Sequence, residues 1–468
     1  MLVEFSVDNF RSIRDHATLS MVAAKLRARD EQLDRANVID VNDKLAVLRS
    51  AVIYGANASG KSNVLKAMGF MRHMVLNSSR LQDGELIPVE PFRLNIASSQ
   101  SPSTFEIVFL IEGTQYRYGF SLTQTRIVSE WLYFIRTLRE VELFTRTDNE
   151  IHIGPRFSEG RGLKGLNLDN KLFLSVVDQF KKSHIAKLVR AWFINSCRTL
   201  TAVEDSGYLP YTINCIEEGR YREQLEQLVR RLDLDIVGLS VADIPLPAHL
   251  AQLQDALKNI VETNKRGNVQ LSIPGLTAER IVKELRTKHS IRDDNGQVVD
   301  QMEFAADSME SEGTQKLIAL TGPILDVLAN GWTLFLDEID SRLHPLITAA
   351  ILRLFNSPIT NPQNAQIICT THDTNLLDRH LFRRDQVFFV EKDTESASHL
   401  YSLAEFKLPN QAGGSRSIRN DASFEKDYIQ GRYGAIPYLG DLGRLFAEEF
   451  HHQKRDQNLE TEPVKVSV

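Results

Sequence analysis

The first residues of the chain, 2–10, set Val3, Phe5 and Val7 against Glu4, Ser6 and Asp8. Alternation of period two predicts a half-exposed strand with those three apolar side chains on one face. Ser50-Ala51-Val52-Ile53-Tyr54 is a mostly apolar run that stops at Gly55, the pattern of a strand covered on both faces of a parallel sheet. From Lys61 onward Val64, Leu65, Met68, Met71 and Val75 recur at intervals of three and four, which predicts an amphipathic helix. Residues 105–111 and 116–122 read as strands joined by Glu112-Gly113-Thr114, and 127–134 extends them into an antiparallel meander.

The pattern changes after residue 134. Helical spacing occurs over 182–195, 221–232 and 249–265, where Leu250, Leu253, Leu257, Ile260 and Val261 share a face. Residues 135–280 are therefore expected to form an inserted, mainly helical arm. Asp293-Asp294-Asn295-Gly296 then signals a hairpin between 281–291 and 298–304. Beyond 305 a parallel α/β pattern returns: helix, strand 332–336, helix, strand 366–370. The expected divisions are an N-terminal lobe (1–134), the arm (135–280), a C-terminal lobe (281–400), a further element (401–450) and a polar, disordered tail (451–468).

Composition narrows the class. The 468 residues are 42 % hydrophobic and 25 % charged, as in an ordinary globular protein. No run of 18 apolar residues is present and no basic segment precedes an apolar one at the start, so neither a membrane span nor a secretory leader is expected. Three cysteines without a CxxC pair suit a reducing compartment, and the expected location is the cytoplasm. A net charge of −6 argues against nucleic acid as the main partner. Lys181, Lys182, Lys187 and Arg190 with Trp192 read either as a local nucleic-acid patch or as a solvated helix face.

Gly55-Ala56-Asn57-Ala58-Ser59-Gly60-Lys61-Ser62 matches GxxxxGK[ST] between a strand and a helix. The glycines let backbone N–H groups turn inward on a phosphate chain, and the helix N-terminus adds positive potential. Lys61 is expected on the β- and γ-phosphates, Ser62 on Mg²⁺, and Asn63 beside them. Leu334-Phe335-Leu336-Asp337-Glu338 is an apolar strand that ends in two acids. Two desolvated carboxylates are poor packing groups; Asp337 is expected to hold the metal and Glu338 to orient the attacking water. On an extended strand the two would point to opposite faces, so both roles require the chain to bend there.

Ser311-Glu312-Gly313-Thr314-Gln315 enters a helix 26 residues before Asp337, and His372 follows a strand 35 residues after it. Asn9-Phe10-Arg11-Ser12, the phosphate loop, a long insertion, Ser311–Gln315, the acidic strand, Asp340-Ser341-Arg342-Leu343-His344-Pro345 and His372 stand in the order that resembles SMC/RecF-like ABC-type ATPases. The finer resemblance, carried by Pro91-Phe92-Arg93-Leu94, Glu310–Gln315 and Tyr428–Pro437, is to the RloA/AbiLi group of anti-phage ATPases. The signature departs from that of transporter ATPases, S-E-G-T replacing S-G-G-Q.

The resemblance implies an α/β ABC-type head with a mixed sheet, an antiparallel meander and a helical insertion. It implies ATP and Mg²⁺ as cofactors, His372 on the γ-phosphate, Arg11 near the nucleotide, and Ser311, Gly313 and Thr314 completing the site of a second copy. It further implies a homodimer or higher homo-oligomer controlling a separately encoded effector, with Toprim-like and HNH nucleases as candidates. A DNA repair ATPase is the competing reading, set back by the acidic balance and the lack of a long heptad arm. An OLD-type nuclease is set back because no D-x-D follows Glu391. Tyr428–Pro437 reads equally as a packed element and as a docking surface.

Overall fold

The computed structural model describes residues 1–26, 30–136, 139–163, 169–180, 182–200, 205–232, 236–245, 281–409, 415–417 and 423–437. The expected helix at 249–265, the tail 451–468 and Lys181 lie outside these residues.

The chain opens with β1 (Leu2–Asp8) and β2 (Ala17–Ser20), then β3 (Ser50–Tyr54) and α1 (Lys61–Asn77). A meander follows: β4 (Ser103–Ile111), β5 (Thr114–Leu122), β6 (Ile127–Arg136), β7 (Arg139–Thr147) and β8 (Glu150–Ile153). Next come β9 (Cys197–Leu200), α2 (Asp205–Glu217), α3 (Arg222–Leu232) and β10 (Ile236–Pro245). The hairpin β11 (Ile281–Arg292) and β12 (Val298–Ala305) leads to α4 (Glu312–Asn330), β13 (Thr333–Leu336), α5 (Pro345–Asn356) and β14 (Gln366–Thr370). The last elements used here are β15 (Val387–Lys392), β16 (Ser398–Ser402) and α6 (Phe424–Ile429).

Two large sheets share the work. The first is antiparallel and seven-stranded, in the order β8-β7-β6-β5-β4-β1-β2; the second is six-stranded, in the order β9-β13-β14-β3-β15-β16. All pairings of the second sheet are parallel except β15 with β16. β3, β13 and β14 are buried along their whole length, which is why they read as unbroken apolar runs. α1 lies between the sheets: Val64, Leu65, Met68, Met71, Met74 and Val75 join Phe105, Phe120 and Phe144 in one core. The expected α/β architecture, with a mixed sheet and an antiparallel meander, is the one observed.

Three local readings change. Val3 does not share a face with Phe5 and Val7; it packs with Ile39, Val47 and Leu110, because a bulge between Leu2 and Glu4 reverses the alternation. The meander does not end at 134: β7 and β8 continue it to Ile153, with Leu143 and Phe144 both buried. That adjacent pair and the charges around it obscure a period-two pattern. Finally, the segment expected to be a helical arm returns to the head. Phe173, Leu174, Val189 and Phe193 join the core around α1, and β9 pairs in parallel with β13.

A smaller unit is built from α2, α3 and the three-stranded antiparallel sheet β10-β11-β12, which pack on α4 through Ile213, Leu225, Val229, Leu239, Leu285 and Ile318. Asp293–Gly296 turns its hairpin as expected, with Gly296 at φ 79° and its N–H donating to the Asp293 carbonyl.

Candidate functional site

The phosphate loop leaves the buried end of β3 and closes on Gly60, the N-cap of α1, at φ 108°. A side chain there would be strained by that φ and would collide with the hydroxyls of Ser12 and Ser398, so only glycine fits. Those two hydroxyls brace the loop from outside. Ser398 Oγ donates to the Ser59 carbonyl at 2.6 Å and shares a hydrogen bond with Ser12 Oγ at 2.8 Å, and Asn63 Nδ2 donates to Ser12 Oγ at 2.7 Å. Lys61 is 5 % exposed, and its Nζ donates to the carbonyls of Gly55 (2.9 Å) and Ala56 (3.0 Å). Burial pulls its pKa down to about 8, against the opposing pull of Asp337, Glu338 and Asp340.

β13 delivers the two acids beside this loop. Asp337 Oδ1 accepts from Ser62 Oγ at 3.1 Å and from Thr370 Oγ1 at 2.6 Å, while the Asp337 N–H donates to the Leu200 carbonyl at 3.0 Å. Glu338 adopts φ 49°, the left-handed region. This is the bend that the adjacent acids required: the strand ends at Leu336, and Glu338 turns toward the loop. Its N–H donates to Thr370 Oγ1 at 2.7 Å, and its carbonyl accepts from Lys316 Nζ at 3.1 Å.

A cleft of about 570 Å³ results, lined by Asn57, Ala58, Gly60, Lys61, Ser62, Asn63, Glu338 and His372. The His372 N–H donates to Asp340 Oδ2 at 3.1 Å. Burial first, and then the Lys61 ammonium, lower the imidazole pKa below its ordinary value. The ring is therefore neutral at neutral pH and has one N–H to offer an anion.

The cleft suits a nucleotide phosphate chain: ammonium, helix N-terminus and imidazole face one space. Ser62 Oγ and Asp337 Oδ1, already in contact, are the hard oxygen donors that Mg²⁺ takes. Asp337 is 6 % exposed and Ser59 is 4 % exposed; Ser62 lines the cleft, whereas Asp337, Gly55, Ala56 and Ser59 do not.

The remaining predicted residues stand apart from this cleft. Ser311 caps α4: its Oγ accepts from the Thr314 N–H at 3.1 Å and shares a hydrogen bond with Thr314 Oγ1 at 2.9 Å. A Cβ on Gly313 would lie 2.6 Å from the Arg342 carbonyl, and Glu312 pairs with Arg342 at 3.4 Å. The signature turn thus rests on the Asp340–Pro345 loop of its own chain, and Ser311, Gly313 and Thr314 do not line their own cleft. Arg11 is not brought to the cleft either. Its N–H donates to the Glu90 carbonyl at 2.7 Å and its Nε lies 3.1 Å from the Glu90 carboxylate, beside a separate cavity of about 230 Å³.

Sequence reasoning missed several groups at the site. Thr370 links both acids, Asp340 anchors His372, Ser12 and Ser398 brace the loop, and Lys316 reaches Glu338 from α4. Thr370 had a signal, a hydroxyl closing a buried strand next to His372; the others are joined only by tertiary structure. No polar partner was expected from β9, yet Leu200 opposite Leu336 brings the chain out at the same sheet edge as the acids.

No match is found among curated proteins. Among solved structures, the SMC head domain from Thermotoga maritima is similar at 13 % identity and a TM-score of 0.35, covering 86 % of this chain and 98 % of that one. An SMC head bound to the C-terminal winged-helix domain of ScpA is similar at 13 % identity and a TM-score of 0.38, covering 86 % and 97 %. A family model matches residues 50–378, from β3 through the His372 loop, and this chain therefore belongs to the family described as AAA domain, putative AbiEii toxin, Type IV TA system.

Proposed function

We propose that this chain is an ATP-hydrolysing switch of an anti-phage defence system, which dimerises around ATP and thereby controls a separately encoded toxic effector, a nuclease. The observation that carries the reading is the split between two halves of a site. The cleft gathers an ammonium, a helix N-terminus, the neighbourhood of two acids and an imidazole, while the capped turn Ser311–Thr314 does not line it on the same chain. A second copy supplies that turn to the open side.

In this reading Lys61 holds the β- and γ-phosphates and the backbone of residues 55–60 wraps them. Ser62 and Asp337 hold Mg²⁺, which when bound neutralises the phosphate charge and aligns the terminal phosphoryl group. Glu338 orients the attacking water and takes its proton, and His372 donates its N–H to the terminal phosphate. Ser311, Gly313 and Thr314 of a second copy close the space, so nucleotide joins the two heads and hydrolysis parts them. ATP can shift this equilibrium only as far as it binds the closed pair better than the open heads. The defence role rests on the resemblance to anti-phage ATPases and on the family's toxin–antitoxin description.

The test has two parts. The purified protein should release phosphate from ATP and sediment as a dimer with ATP but not with ADP. In cells, expressing the adjacent gene product alone should arrest growth, and co-expressing this chain should relieve the arrest. A hydrolysis rate raised by DNA, with a harmless neighbour, would instead favour a repair ATPase.

A further inference from the structure

Glu338 is a non-glycine residue held at φ 49°, a conformation that L side chains adopt at a cost and keep only where surroundings fix it. Both of its backbone polar groups are tied. The N–H is bound to Thr370 at the end of β14, and the carbonyl accepts from Lys316 Nζ at 3.1 Å and from the Ser341 N–H at 3.0 Å. The lysine is the unusual partner. It lies in the second turn of α4, five residues after the signature cap Ser311, and is only 3 % exposed. Its neighbours along the helix, Leu317, Ile318, Ala319 and Leu320, are buried apolar residues, so packing alone would be served by another of that kind. Burying an ammonium is costly unless its bonds are used.

α4 is thus a rigid rod with a different task at each position. Its capped end carries Ser311 and Gly313, which rest on the Arg342 loop, and Glu310 just before the cap accepts hydrogen bonds from Thr287 and His289 of β11. One turn further in, the same helix holds the backbone carbonyl of Glu338, whose residue lines the cleft of its own chain. Movement of the signature turn therefore cannot be separated from the backbone of Glu338.

We propose that Lys316 is a positioning residue that ties the geometry of Glu338 to the state of its own signature turn, so that one head fires only when its signature turn is engaged on the other head's nucleotide. The inference rests on the ATPase reading above. Lys316 does not touch nucleotide; it fixes the left-handed turn that aims Glu338 into the cleft. The two sites of the dimer are then coupled through α4 of each chain.

The experiment compares the parent with Lys316→Met and Lys316→Arg, measuring ATP affinity by equilibrium binding and kcat by phosphate release. Lys316→Met should bind ATP within about twofold of the parent while kcat falls at least tenfold, and Lys316→Arg, which keeps a donor, should recover most of kcat. Mixed dimers add the readout that a structural role would not move. Parent heads paired with Ser311→Arg heads should lose hydrolysis directly in the parent's own cleft, which faces the altered turn, and through α4 of the altered chain in the other cleft as well. With Lys316→Met in both chains the coupling is gone, so the Ser311 change should silence only the cleft that faces it and about half of the residual rate should remain. A kcat of Lys316→Met within twofold of the parent overturns the proposal, as does a fall in kcat matched by loss of ATP affinity or a failure of Lys316→Arg to rescue. If Lys316→Met does not fold, Lys316→Gln carries the comparison, and failure of both neutral variants to fold would make the lysine structural and overturn it as well. Failure of the underlying reading looks different: the parent itself would not hydrolyse ATP.

Discussion

The depressed pKa of Lys61 makes a quantitative prediction about nucleotide binding. In the free head the ammonium is buried, bound only to the Gly55 and Ala56 carbonyls, and titrates near 8. Phosphates favour the charged lysine, so a bound triphosphate returns its pKa toward the ordinary lysine value of about 10.4 or beyond. The sign follows directly. Below pH 8 the free head already carries the proton and binding needs none; above pH 8 binding must take one up, and affinity falls as pH rises. At pH 9, one unit above the pKa, about nine in ten free heads have lost the proton. Affinity for Mg–ATP should be about tenfold weaker there than at pH 7, or about 1.4 kcal/mol, and about 0.9 proton should enter per nucleotide bound. Titration calorimetry of Glu338→Gln protein at pH 9, in two buffers of different ionisation enthalpy, counts that proton. Lys61→Arg is the control: its guanidinium stays charged, so whatever its affinity, the dependence on pH should vanish. An affinity that is flat from pH 7 to 9.5, or a slope that persists in Lys61→Arg, would refute the assignment of Lys61 to the phosphates.

Three further outcomes are expected. Glu338→Gln should bind ATP with at least the parent's affinity, hydrolyse it at least a hundredfold more slowly, and accumulate as a dimer in analytical ultracentrifugation; hydrolysis at the parent rate would remove Glu338 from the catalytic role. Gly313→Ala sets a methyl group against the Arg342 carbonyl at 2.6 Å, so the signature turn must shift; single-head ATP binding should persist while the ATP-dependent dimer is lost, and an unchanged dimer would show that this turn is not at the interface. Glu130→Ala removes a fully buried carboxylate that accepts from Tyr118 Oη (3.0 Å) and the N–H groups of Phe173 (2.6 Å) and Leu174 (3.0 Å), and takes the opposing charge away from the buried Arg146, which keeps its bonds to the Asp148 and Lys171 carbonyls. Urea unfolding should show a loss of about 3–5 kcal/mol, and a loss under 1 kcal/mol would mean that Arg146 finds other compensation.

What the sequence disclosed and what it hid divide along a physical line. Features written in consecutive residues were legible: the glycine loop, the apolar strands that run without a break because both faces are covered, and the paired acids with the bend they demanded. Periodicity failed where alternation is interrupted, as at the bulge that turns Val3 away from Phe5, or at Leu143-Phe144 in β7. It failed again at β9, four residues whose partner strand lies more than a hundred positions later, since nothing local marks Cys197–Leu200 as an edge of the main sheet.

The C-terminal element shows how tertiary contact settles a choice that composition leaves open. Tyr428 stacks on Phe389 with ring centroids 5.2 Å apart, Tyr433 is fully buried, and Tyr54, the last residue before the phosphate loop, lies 5.9 Å from Tyr428 and donates its hydroxyl to the Asp373 carbonyl beside His372. Gly434 at φ 68° lets the chain pass against the Glu391 carboxylate. The described part of this segment is therefore a wedge behind both the phosphate loop and the histidine loop. Sequence separation and spatial adjacency diverge most where the chemistry is assembled: Lys316, Glu338 and Thr370 are joined by hydrogen bonds and Tyr54 and Tyr428 by ring contact, behind a cleft where parallel strands end at one edge. The side chains that adjust such a site, Lys316 and Thr370 among them, act on backbone atoms of other segments, and a contact of that kind leaves no motif.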